Sequence, residues 1–211
     1  MPPSPGSSTP TGSASARRPC CRKGSRSVFA SENENDCNAV RRLVPADATA
    51  YRALMLDAYA THPSAFTTTV EERSGLPVEW WEERLGSDAN EASVVYGAFD
   101  EAGVLVGAAG LSFEARQRAR HKATLFGMAV AASARRAGFG RRLVLALLAH
   151  ARATERLRLV QLTVTEGNST AQALYERCGF QVFGVEPLAI AVEGALLAKV
   201  HMWCDLKALP A

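Results

Sequence analysis

The stretch Arg135-Arg136-Ala137-Gly138-Phe139-Gly140-Arg141-Arg142 most limits the folds open to this chain. It joins two regular segments. Before it, Lys122–Ala131 reads as a strand, and after it a strongly apolar helix is expected from Gly138 to about Ala153. The two glycines let the backbone bend tightly and leave its N–H groups uncovered. At a helix start such donors, together with the positive end of the helix dipole, form an anion site, and arginines add planar forked donors suited to phosphate. By itself the R-x-x-G-x-G pattern is weak, because a chain this rich in arginine and glycine produces it by chance about once in ten sequences. The strand–loop–helix setting is what gives it weight.

The charge distribution points the same way. Residues 116–158 carry 11 basic and 1 acidic side chains, a balance of +10, although the whole chain of 211 residues is only +3. Residues 40–115 carry 5 basic and 12 acidic side chains, and 159–211 carry 3 and 5. A concentrated basic segment in a near-neutral chain suits a polyanionic ligand. Nucleic acid is a poor candidate for that ligand, since Phe113, Phe126 and Phe139 fall at strand or loop positions suited to packing rather than exposed among the basic residues. No apolar run approaches the roughly 18 residues that span a bilayer. The five cysteines lack C-x-x-C spacing, so neither a disulfide framework nor a zinc site is indicated, no metal is expected, and a reduced, cytoplasmic setting is.

Residues 1–37 are rich in Pro, Ser, Gly and Thr and have no hydrophobic period, so they are expected to be a disordered tail without an assigned role. One α/β domain is expected over 38–208, in the order β-α-α-β-β-β-α-β-α-β-β. Ala39–Val44 reads as a short strand. Asp47 is placed to cap a helix with Tyr51, Leu54, Met55 and Ala58 on one face, ended by His62-Pro63. After a loop, Pro77 opens a helix in which Val78, Trp81 and Leu85 share a face. Val94–Phe99 and Val104–Phe113 form a hairpin, and Leu159–Thr165 is a β-branched strand. Ser169 is placed to cap a helix through Arg177, and Phe180–Val185 and Leu196–Leu206 close the domain as two strands.

Arg135-x-x-Gly138-x-Gly140 resembles the pyrophosphate-binding loop of the GNAT acetyltransferases. Val164-Thr165-Glu166-Gly167-Asn168, with Ala171, Ala173, Leu174-Tyr175-Glu176 and Gly179-Phe180, resembles their more specific second signature, N-x-x-A-x-x-L-Y-x-x-x-G-F. The resemblance covers about residues 40–206. It implies the acyl-CoA-binding GNAT fold, a mixed, mostly antiparallel sheet flanked by helices, with two central parallel strands splayed apart to admit acetyl-CoA. It also implies site roles. The backbone of the Met128-Ala129-Val130 segment would pair with the pantetheine arm as an added strand. The backbone N–H groups of the Arg135, Arg136, Ala137, Gly138, Phe139, Gly140 and Arg141 loop would hold the pyrophosphate. Asn168 would bond the pantetheine beside Ala171, and Tyr175 would protonate the departing thiolate. From spacing alone, Tyr175 equally suits a core position and Asn168 an ordinary helix-entry turn.

The implied activity is acetyl transfer from acetyl-CoA to a primary amine of a small molecule, peptide or protein by direct attack in a ternary complex. The alternative is a non-catalytic acyl-CoA-binding module on the same fold, against which the presence of Tyr175 argues. The base is less legible. Lys122–Ala131 has no carboxylate, which leaves Glu114, Glu71, Glu166 or water to take the amine proton, while His121 suits a solvated surface. The acceptor side is expected along His62–Pro77, Trp80-Trp81 and the loop near Glu193, with the acidic balance of 40–115 attracting a cationic amine. Pairing of two copies through edge strands is a further expectation from the family.

Overall fold

The computed structural model describes residues 40–86 and 92–209; the tail expected over 1–37 and the strand start expected at Ala39 lie outside them. In chain order the elements are β1 (Val40–Arg42), α1 (Ala48–Thr61), α2 (Val70–Ser74), α3 (Val78–Leu85), β2 (Ser93–Phe99), β3 (Leu105–Phe113), β4 (Lys122–Val130), α4 (Phe139–Ala153), β5 (Leu159–Thr165), α5 (Ser169–Arg177), β6 (Gln181–Val192) and β7 (Ala195–Asp205). The seven strands make one sheet in the order β1-β2-β3-β4-β5-β7-β6. Every neighbouring pair is antiparallel except β4–β5, which is parallel. The sheet class holds, and so does the expected element order apart from one added helix, α2.

Helices cover both faces of the sheet, which is why β3 is buried almost without alternation. On one face α1 and α3 pack Tyr51, Leu54, Met55, Trp81 and Leu85 against Val95, Ala108 and Ala129. Tyr51 meets Trp81 edge-on at 5.6 Å, which ties α3 to α1. On the other face α4 turns Leu143, Val144, Leu147, Leu148 and Ala151 inward, a helical stripe that buries its larger members for about 1.5–3 kcal/mol each. No helix among the described residues is long and apolar enough to cross a membrane.

The local details depart from expectation at three points. The five residues Val70–Ser74, read as loop, form α2; Thr69 Oγ1 accepts from the Glu72 N–H at 3.3 Å while Glu72 Oε2 accepts from the Thr69 N–H at 3.1 Å. Asp47 does not cap α1 with its side chain. It accepts from Arg41 at 2.7 Å and from the Val44 N–H at 2.9 Å, and the Arg41 hydrogen bond holds its carboxyl below the usual carboxylate range. The cap of α5 is Asn168, not Ser169, because the Asn168 side-chain oxygen Oδ1 accepts from the Ala171 N–H at 3.1 Å.

The feature that positions a site is the parting of β4 from β5. They pair only over Lys122–Thr124 against Leu159–Gln161. Past that point β4 stays with β3, and β5 stays with β7 as far as Thr165 opposite Lys199. Between the Ala108–Ala129 and Gly110–Phe126 pairs, β4 holds one more residue than β3, a bulge that bends β4 and increases its twist. Gly127 occupies it at φ +62°, backbone that an L side chain adopts under strain. A Cβ there would meet nothing nearer than 3.7 Å, so the requirement is conformational and not steric. Gly127→Val should cost about 1–3 kcal/mol of stability in denaturant unfolding. A wild-type midpoint would mean that the bulge accommodates a β-branched residue and does not depend on glycine.

Candidate active site

Where β4 and β5 separate, two adjoining cavities of about 730 and 790 Å³ open, and both are bordered by Phe66, Met128, Asn168 and Ala171. Among the described residues the β4 edge between them has no strand partner. The Ala131 N–H bonds the Val106 carbonyl of β3 at 2.8 Å, so by strand alternation Val130 turns its N–H and C=O away from β3 and toward the gap. Met128, two residues earlier, shares that direction. The segment expected at Met128-Ala129-Val130 therefore offers backbone donors and acceptors to an extended ligand.

The larger cavity leads to the start of α4, where Arg135, Arg136, Gly138, Phe139, Gly140 and Arg141 line it. Gly138 caps α4 at φ +82°, and a Cβ on it would point into open space. The first-turn N–H groups of Phe139, Gly140 and Arg141 have no intrahelical acceptor. Gly140 sits close to α5, since a Cβ there would lie 3.3 Å from Leu174 Cδ2. The loop is braced from behind: Arg142 donates to the Ala137 carbonyl at 2.9 Å and stacks on Phe139 at 4.6 Å. Arg135 is turned back onto the Val130 carbonyl and His62. Arg136, Arg141 and Arg177 line the cavity, with Asp57 the single acidic neighbour among the described residues, so its balance is positive.

Asn168 and Tyr175 stand on the opposite wall. Capping occupies one Asn168 oxygen, and its amide N–H₂ has no protein acceptor among the described residues. Tyr175 is 95% withdrawn from solvent, packs edge-on against Phe180 at 5.7 Å and lines the smaller cavity. Burial, with Cys178 nearby, pushes its hydroxyl well above the usual tyrosine range, so it stays protonated at neutral pH. Among the described residues the hydroxyl has no hydrogen-bond partner. The ring is therefore core, and the residue also borders the cavity.

The smaller cavity is walled by Tyr59, the Ala65–Thr68 segment, Trp80 and Trp81, as expected for the acceptor side, but not by the loop at Glu193. Thr165 Oγ1 donates to the Ser64 carbonyl at 2.6 Å and so ties this segment to β5. The charge of the cavity differs from expectation. Arg73, Arg84 and Lys199 line it, and no carboxylate does among the described residues. Glu114, Glu71 and Glu166 are exposed and border neither cavity. Glu114 sits just past the end of β3, its N–H bonded to the Lys122 carbonyl, and Glu71 lies on α2, its carboxyl held low by its own backbone N–H and then by Thr69. His121 is likewise outside. Sequence reasoning missed Arg73, Arg84, Lys199 and Thr165; the T-x-x-E capping box that positions Arg73 was the one readable signal for any of them.

The GNAT acetyltransferase family model matches residues 50–180. A ribosomal-protein-alanine N-acetyltransferase from Brucella melitensis is 26% identical and superposes with a TM-score of 0.64, covering 79% of this chain and 98% of its own. A GCN5-related N-acetyltransferase from Kribbella flavida is 24% identical, with a TM-score of 0.66 over 80% of this chain and 99% of its own. The yncA protein of Salmonella typhimurium, solved with its cofactor acetyl-CoA, is 20% identical, with a TM-score of 0.68 over 82% and 95%. No curated protein sequence matches this one. With that match spanning more than half the chain, on a sheet that opens between β4 and β5, the protein belongs to the GNAT family of acetyltransferases.

Proposed function

We propose that the protein transfers an acetyl group from acetyl-CoA to a primary amine by direct attack in a ternary complex. The observation that carries this reading is the continuity of the unpaired β4 edge with the glycine–arginine loop. Together they match a ligand with an amide-bearing arm and a diphosphate. The site fits that ligand on its own chemistry, with a backbone edge at Met128 and Val130 that has no strand partner among the described residues, first-turn N–H donors at Phe139–Arg141 without an intrahelical acceptor, and arginines around them. Acetyl-CoA supplies a thioester carbonyl; attack by the amine nitrogen forms the amide C–N bond and breaks the C–S bond.

In this reading Asn168 donates from its amide nitrogen to the pantetheine arm, and Ala171 keeps that wall small. Tyr175 supports the departing sulfur with its protonated hydroxyl. A thiol leaves readily unaided, so this contribution sits at the low end for a general acid. Glu114, Glu71 and Glu166 line neither cavity, and this reading gives none of them the role of base. Arg73, Arg84 and Lys199 instead disfavour the ammonium form of a bound amine, which eases loss of its proton to water.

Three outcomes test the proposal. Gly138→Val should weaken acetyl-CoA binding at least tenfold by calorimetry, because φ +82° is strained for valine and its side chain would project into the anion site. Unchanged affinity would remove the loop from the donor site. In Tyr175→Phe, kcat should fall by about 10–100-fold with acetyl-CoA affinity retained, as read by thiol release; wild-type turnover would leave Tyr175 as core only. Acetyl-CoA affinity should also weaken as salt rises, and Arg136→Ala should flatten that dependence. Parallel salt curves in the two proteins would mean that Arg136 is merely solvated.

A further inference from the structure

Three cations converge on the cavity that holds Tyr175, each from a different element. Arg73 of α2 lies 4.6 Å from the Trp80 ring centroid. Arg84 of α3 lies 5.4 Å from the same ring and 4.6 Å from that of Phe126. A guanidinium laid against an aromatic face keeps its in-plane N–H donors available to another partner. Among the described residues neither arginine forms an ion pair, and Lys199 of β7 is bonded to the neutral Thr67, so no described carboxylate compensates these charges. The side chains are also held. The capping box fixes the start of α2, and Arg52 donates to the Ser74 carbonyl at its end at 2.7 Å. Beside them the Trp81 indole N–H is buried without a partner among the described residues.

Partly buried like charges around one cavity repel each other and lose solvation, and an anion relieves both costs. The cavity volume, about 730 Å³, must also take the acyl end of the donor, which leaves room for a small molecule rather than a folded partner. We propose that the acceptor is a small amine bearing an oxyanion, a carboxylate or phosphonate, which Arg73 and Arg84 hold while its amine faces the thioester. This inference rests on the acetyl-transfer reading above and specifies its substrate class. It reverses the expectation of a cationic acceptor: the acidic residues of 40–115 that are described lie outside this cavity, and two arginines of the same stretch, Arg73 and Arg84, line it.

The test is thiol release with acetyl-CoA and a matched panel: α-amino acids from alanine to phenylalanine, their carboxamides, the corresponding aminophosphonates, and linear diamines. The acids or the phosphonates should exceed the carboxamides at least tenfold in kcat/KM, and the more active arm names the oxyanion. Arg84→Gln should abolish that gap through KM while leaving acetyl-CoA affinity unchanged. Arg73→Gln, on a more exposed element, gives the same readout if Arg84→Gln does not fold. Carboxamides or diamines matching the acids, a gap that survives both substitutions, or inactivity on every anionic amine would overturn the inference. Calorimetry with acetyl-CoA separates the two readings, since failure to bind it defeats acetyl transfer itself, whereas binding without anion preference defeats only the acceptor assignment.

Discussion

Only three residue pairs, Lys122–Thr124 against Leu159–Gln161, hold β4 to β5, and the rest of the site exists because the pairing stops there. A backbone edge left inside a sheet must find partners, since unpaired N–H and C=O groups cost free energy when they are withdrawn from water. Both strands are fully committed on their other sides, β4 to β3 and β5 to β7. The bulge at Gly127 bends β4 away, and the Thr165–Ser64 hydrogen bond ties β5 to the segment that walls the smaller cavity. The gap is thus built into the sheet.

That geometry gives the gap two different ends. The α4 end collects free N–H donors and arginines, a setting for phosphate oxygens. The other end collects hydroxyls, aromatic rings and the stacked pair Arg73 and Arg84. Both ends are therefore electropositive, and they differ in rigidity and shape rather than in sign. Tyr175 and Asn168 stand where the two meet, one presenting a protonated hydroxyl and the other an amide whose oxygen is already spent on capping α5.

The elements themselves were legible in the sequence. The stripe Leu143, Val144, Leu147 and Leu148 and the β-branched run Leu159–Thr165 state their periods directly, and the positions of Asn168 and Tyr175 followed from their pattern. The parting of β4 from β5 was not readable from periodicity, because apolar residues continue past Thr124 on both strands and a strand pattern says nothing of its partner; the resemblance to a family supplied it. The charge lining the smaller cavity was not readable for a related reason. A charge count over 40–115 adds outward-facing carboxylates to inward-facing guanidiniums, and only packing on Trp80 separates them. Asp47 likewise looked like a helix cap because the sequence does not show that Arg41 lies within its reach.

The claim on which the account turns is that the β4 edge receives the donor as an added strand. Amide hydrogen exchange across β4, with and without acetyl-CoA, tests it most directly. The Val130 and Met128 amides, which face the gap, should slow markedly on acetyl-CoA binding, whereas the Ala131 amide, already bonded to Val106, should change little. Saturating acetyl-CoA that leaves Val130 and Met128 exchanging as in the free protein would contradict it.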